Sequence, residues 1–179
     1  AVAEKLKCIT RHCYTSSGRH ESVAEHSWRI ALMAMLLTEE FPEADMNKVI
    51  RMCLIHDLGE AFTGDIPTFW KTEADTEKED AVFDSWVKTL PEDTKLEFSG
   101  LLAEMNALET PEAKIYKALD KMEAVISHNE SDISTWLPLE YDLQLTYGAD
   151  KVGFSPYLQK LKAEIDCVTR RKIAEEGKR

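Results

Sequence analysis

Glycine and proline are scarce, at seven and six residues in 179, and no stretch alternates apolar with polar side chains long enough to read as a strand. That combination excludes a fold built from sheets. The longest unbroken apolar run, Ile30 to Leu37, has eight residues, against roughly 20 for a bilayer-spanning helix. A membrane partner is therefore not expected. No basic segment followed by an apolar core opens the chain, so no secretory leader is expected either. The four cysteines (Cys8, Cys13, Cys53, Cys167) form no C-x-x-C pair and sit in helix-like patterns. They read as reduced thiols of a cytoplasmic protein rather than a zinc ribbon or disulfide framework. Cationic residues are short as well, with 22 Lys+Arg against 33 Asp+Glu and a net charge of −11. Affinity for a nucleic-acid polymer rests on cations neutralising phosphates, so such a partner is excluded. The deficit is uneven: residues 1–30 carry +2 and the remainder −13. A small anionic ligand could be accommodated near the N-terminus.

What is present is helical. The length and a 44% hydrophobic content suit one domain, expected over residues 1–179. Ser22-Val23-Ala24-Glu25 has the spacing of a capping box, which predicts a helix from Ser22 to about Glu40 with Val23, His26, Ile30, Met33 and Leu37 as its seam. Asp45 can cap a helix over about 46–61, with Val49, Ile50, Cys53 and Leu54 inward. Further helices are expected over about 73–89 and 92–108. Thr110-Pro111 opens another, with Ile115, Leu119, Met122 and Ile126 buried. Residues 129–154 are the least regular and read as a lid or dimer contact. Ser155-Pro156 starts a last helix, about 155–176, with Leu158, Leu161, Ile165 and Val168 as its seam. The expected fold class is all-α.

Four residues break the apolar logic of these helices: His26, His56, Asp57 and Asp120. Each alone is commonly a hydrogen-bonded core residue or a solvated one. Together, buried imidazoles beside carboxylates are costly unless a cation compensates them. Two nitrogens and two oxygens suit one divalent ion, such as Mn²⁺, Co²⁺, Fe²⁺, Zn²⁺ or Mg²⁺. Glu60, four residues after His56 and three after Asp57, falls on the same helical face and could orient or deprotonate an attacking water. Asp65 follows Gly64 in a turn.

The segments His20-Glu21-Ser22-Val23-Ala24-Glu25-His26-Ser27 and His56-Asp57-Leu58-Gly59-Glu60, the latter continuing to Gly64-Asp65-Ile66-Pro67, together with Asp120 in Lys117-Ala118-Leu119-Asp120-Lys121, resemble the HD-domain metal-dependent phosphohydrolase superfamily. The match spans roughly residues 5–130. It is most similar to the branch of 5′-deoxynucleotidases of the YfbR type and HD-domain-containing protein 2. The resemblance implies an HD-domain helical bundle, usually a homodimer, that hydrolyses deoxyribonucleoside 5′-monophosphates. It puts the metal ligands on His26, His56, Asp57 and Asp120 and catalytic acidic residues on Glu60 and Asp65. It also implies nucleotide contacts from an Arg in the first helical segment and the aromatic after it, here Arg11 and His12, a departure from a family member that carries Trp at the second position. Arg19 and Lys71 are further candidates for phosphate contact. Two-ion variants of the fold insert extra histidines between the His-Asp pair and the last Asp, and this chain has none there, so one ion is expected.

Within this reading Glu60 aligns the water, and Asp65 or solvent delivers the proton to the departing 5′ oxygen. Arg11, with Arg19 or Lys71, neutralises the phosphoryl oxygens. Three alternatives stand beside it: hydrolysis of another nucleotide or phosphoester such as a (p)ppGpp-like ester, a metal-dependent nucleotide-binding protein without turnover, and a purely structural helical module.

Overall fold

The computed structural model describes residues 2–176. Ala1 and residues 177–179, included in the expected domain, lie outside the described residues. After α1 (Val2–Leu6) comes an unexpected β-ribbon, β1 (Thr10–Tyr14) antiparallel to β2 (His20–Ser22). Thr10 faces Ser22 and Tyr14 faces His20, so β1 carries extra residues as a bulge. Strands this short hold no readable alternation. Their partner creates them, across a turn in which Thr15 N–H donates to the Arg19 carbonyl at 2.7 Å. Arg11, expected in a helical segment, lies on β1 instead, as does Cys13, and Cys8 sits in a turn.

Ser22 ends β2 and caps α2 (Val23–Leu36). Its hydroxyl accepts the Glu25 N–H, while the Glu25 carboxylate accepts the Ser22 N–H at 2.8 Å. The seam is as expected at Val23, His26, Ile30 and Leu37, with Met33 half-buried. Asp45 caps α3 (Met46–Ile55), which stops earlier than its pattern. Leu58, Glu60, Ala61 and Phe62 bond to carbonyls three residues back, so the chain tightens and restarts as α4 (Glu60–Thr63). A Cβ on Gly59 would lie 2.9 Å from Glu79 Cγ and 3.4 Å from Phe83 Cβ. Glycine there lets α5 (Glu73–Val87) close onto the tight turn. Leu54, expected inward, is 47% exposed, and Met52 and Ile55 fill the core with Val49 and Cys53.

After α6 (Glu92–Ala107), Thr110 caps α7 (Pro111–Glu130) with proline in its first turn, as expected. Helix α7 is the spine, packed against α2, α3, α6 and α9 (Pro156–Glu176). Ile30, Val49, Met52, Leu119, Met122 and Val125 are fully buried around it, each worth about 1.5–3 kcal/mol of apolar burial. Residues 129–154 are more ordered than expected, with 3₁₀ turns at Ile133–Thr135 and Ala149–Lys151 and helix α8 (Glu140–Thr146). In α9 the seam runs Leu158, Leu161, Ile165 and then Thr169, leaving Val168 exposed. The 3.6-residue turn and the Thr169 hydroxyl, 3.0 Å from Asn129 Oδ1, account for that shift. Among the described residues the regular structure is helical apart from the ribbon. No helix among the described residues is long and apolar enough to cross a membrane.

Candidate active site

Two helices and a turn bring the four polar intruders to one point. His26 comes from the first turn of α2, Asp120 from the middle of α7, and His56-Asp57 from the tight turn after α3. His26 Nε2 lies 3.3 Å from Asp120 Oδ1 and 3.7 Å from Asp57 Oδ2. His56 Nε2 lies 2.9 Å from Asp57 Oδ2 and 3.7 Å from Asp120 Oδ1. Donors held around one ion at 2.0–2.2 Å are separated by roughly 2.9–3.5 Å, so the 2.9 and 3.3 Å spacings fit a divalent cation while the two of 3.7 Å are slightly wide; the donor atoms of His26, His56 and Asp57 all lie within 4.8 Å of one another. The tautomers fit as well. His56 donates Nδ1–H to the Cys53 carbonyl at 2.9 Å, and its buried Nε2 has no hydrogen-bond partner. His26 directs Nδ1 at Glu123 Oε2, which leaves Nε2 for the cluster. Asp120 likewise divides its oxygens, with Oδ2 accepting from Lys117 Nζ at 2.8 Å.

Behind this group lies a charged layer that the sequence reading missed. Glu123, fully buried, accepts from Arg29 Nε at 2.6 Å and from Arg11 at 3.2 Å. Arg11 also donates to Glu21 Oε2 at 2.8 Å, and the Cys13 thiol donates to the same oxygen. Arg29 further pairs with Glu130 at 2.5 Å and donates to the Ser127 hydroxyl. The signal was the i+3 offset: Glu123 follows Asp120, and Arg29 follows His26, on one helical face each. Burial and Arg11 disfavour a proton on His26, but Glu123 and Asp120 outweigh them and raise its pKa to about 9. Burial opposes ionisation of Asp57, Asp120 and Glu123, yet neighbouring nitrogen groups hold all three well below the usual carboxylate range, first among them His56 for Asp57, Lys117 for Asp120 and His26 for Glu123. The site keeps its carboxylates charged and draws positive charge.

Glu60 opens α4 with 5% of its surface exposed and Oε2 without a partner. Burial, then the charges of Asp57, Asp65 and Glu79, push its carboxyl up to about 10. Gly64, with φ of 80°, turns the chain so that half-buried Asp65 joins Arg11 in the wall of a cleft. The cleft is further lined by His12, Phe69, Gln144 and Tyr147. Residues 129–154 thus supply one of its walls. His12 meets the Phe69 ring edge-on at 5.7 Å, so the 66–70 loop brings an aromatic surface beside the imidazole. Lys71 pairs with Glu79 at 2.5 Å, and its charge is felt by Asp57, Glu60 and Asp65. Arg19 is not brought to this group. It is exposed and holds Glu25 at 2.5 and 2.9 Å.

The HD domain family model matches residues 3–162. Among curated proteins, the chain is 32% identical over 120 residues to a human protein named 5′-deoxynucleotidase HDDC2, covering 65% of this chain and 57% of that protein's length. It is 29% identical over 164 residues to the Bos taurus protein of the same name, covering 90% of this chain and 78% of the relative. Among solved structures, it is similar to a predicted metal-dependent phosphohydrolase from Magnetospirillum magnetotacticum MS-1, with 31% identity, a TM-score of 0.79, and coverage of 95% of this chain and 88% of that one.

Proposed function

The chain belongs to the HD-domain family, and from that membership we propose that it is a metal-dependent phosphohydrolase that cleaves deoxyribonucleoside 5′-monophosphates to deoxynucleoside and phosphate. One observation carries the reading: four donor atoms of His26, His56, Asp57 and Asp120 converge, with a buried His56 Nε2 that nothing else satisfies. These residues would hold one divalent ion. Such an ion supplies Lewis-acid polarisation of a phosphoryl oxygen and acidifies water.

The chain's own groups do the rest. Arg11, between the donor cluster and the cleft, faces the phosphoryl oxygens, with Lys71 adding charge from the far side. Arg19 would contribute only by releasing Glu25. Glu60 orients the attacking water and would take its proton once a bound cation offsets the charge of Asp57, which together with burial holds the Glu60 carboxyl up, and Asp65 gives a proton to the departing 5′ oxygen. The nucleoside lies in the cleft, against His12 and Phe69. The names of the two HDDC2 relatives support this substrate class. The reading includes a single HD domain, a reducing cytoplasmic setting consistent with four free thiols, and a homodimer. Trp28, Met35 and Leu36 on one face of α2 are 61%, 59% and 75% exposed, which supports a covered face.

Phosphate release from a panel of ribo- and deoxyribonucleoside mono-, di- and triphosphates, with Mn²⁺, Co²⁺, Mg²⁺ and Zn²⁺ in turn, tests the proposal. Release from deoxynucleoside monophosphates is expected. Turnover confined to triphosphates or to (p)ppGpp-like esters would replace the substrate assignment, and metal-loaded protein that binds dAMP without cleaving it would overturn the enzymatic one.

A further inference from the structure

The cleft holds a second convergence of donor atoms that shares no residue with the first. His128, late in α7, donates Nδ1–H to the Ala124 carbonyl at 2.8 Å. Its ring is also held edge-on by Trp136, whose Nε1–H donates to the His128 carbonyl at 3.1 Å. The remaining nitrogen, Nε2, lies 2.9 Å from Glu140 Oε1. His12 from β1 brings its Nε2 to 3.3 Å from that same oxygen. The three donor atoms lie within 4.8 Å of one another. Glu140 is 1% exposed, and its other oxygen is occupied by the Leu137 N–H at 2.7 Å. Oε1 is thus aimed at two imidazoles. A neutral His128 with its proton on Nδ1 sets a lone pair against the carboxylate, which is stable only with a positive centre between them.

We propose that His12, His128 and Glu140 form a second divalent-cation site of the zinc type in the wall of the cleft. Two imidazole nitrogens and one carboxylate oxygen are a donor set that zinc uses with its remaining position open. Imidazole donors favour Zn²⁺ or Co²⁺ over Mg²⁺ or Ca²⁺. The 2.9 and 3.3 Å separations match donors around one ion. Among the described residues no lysine or arginine pairs with Glu140. The Glu21–His26–Glu123 group behind the first site differs in this respect, because Arg11 and Arg29 neutralise it. Gln144, in the same wall, is 3% exposed and its Oε1 has no partner, so it offers an acceptor to water carried by an ion there.

Chelator-stripped protein, dialysed against Zn²⁺ and analysed for metal per chain, tests the site without reference to turnover. Wild type should take up two equivalents. His128→Ala and Glu140→Gln should each take up one, Asp57→Ala should keep one, and His128→Ala combined with Asp57→Ala should keep none. The Co²⁺ visible spectrum should lose one component in His128→Ala. His12→Ala, altering a residue of the short ribbon, serves the same purpose should either buried variant fail to fold. Uptake of one equivalent by wild type, or of two by both His12→Ala and His128→Ala, would overturn the proposal and leave the group as a protonated imidazole–carboxylate pair.

Discussion

Replacing Glu123 by Gln tests whether the charged layer behind the donor cluster tunes it. The amide is nearly isosteric and retains an oxygen for the His26 Nδ1–H, so packing around a fully buried position is preserved. What disappears is the negative charge that holds His26 and is shared with Arg29 at 2.6 Å and Arg11 at 3.2 Å. Partners of metal-ligating histidines typically contribute 10–100-fold in metal affinity, or about 1.4–2.7 kcal/mol. Glu123→Gln should therefore weaken Co²⁺ or Mn²⁺ binding by about that factor, measured by calorimetric titration of stripped protein. Breaking a buried ion pair costs about 3–5 kcal/mol, but Glu21 still holds Arg11 and Glu130 still holds Arg29. The loss of folding stability should therefore sit near the lower end, measured by urea unfolding of the stripped protein. Because the argument routes the affinity effect through His26, the substitution should have little further effect in a His26→Ala background. Unchanged affinity in Glu123→Gln, or an equal loss in both backgrounds, would refute it.

Glu60→Gln should retain metal, by direct metal analysis, while kcat for phosphate release falls by about 10²–10⁴-fold; wild-type turnover would remove Glu60 from catalysis. The Glu25 carboxyl is held down to about 2 chiefly by its bond to Arg19, with burial opposing and the bonds to Ser22 adding to the lowering. A depressed carboxylate adds stability that is present above its unfolded pKa of about 4.5 and lost as pH falls toward 2. Solvent screening at its exposed position limits that to no more than about 1 kcal/mol. Acid unfolding of Glu25→Gln should therefore show a shallower pH dependence over that window than wild type. Ellman's reagent should modify Cys8 and Cys167 rapidly in native protein. Cys13 and Cys53 should react only on unfolding, since burial pushes both thiols up and closes access; four fast thiols would contradict the packing. Leu36→Glu on the exposed face of α2 should yield a monomer by light scattering if that face pairs two copies.

Local rules in the sequence determined much of this protein. The Ser22–Glu25 box, the Asp45 cap and Thr110-Pro111 each fix a helix start through groups a few residues apart, and each helix begins where those residues put it. His26, His56, Asp57 and Asp120 were legible because a polar group in an apolar seam must be compensated by something. Tertiary structure decided the rest. The ribbon exists because β1 and β2 pair, not because either alternates. Helix α3 stops at Ile55 because α5 closes onto Gly59. That break aims His56 and Asp57 from a turn and Glu60 from the start of α4 rather than all three from one helical face. Glu123 and Arg29 each resemble a solvated residue in the sequence, and only the packing of α2, β1 and α7 joins them with Arg11 in a buried network. Caps and seams are local, whereas the charge around a site is a sum over elements distant in sequence that only the folded chain brings within a few ångströms.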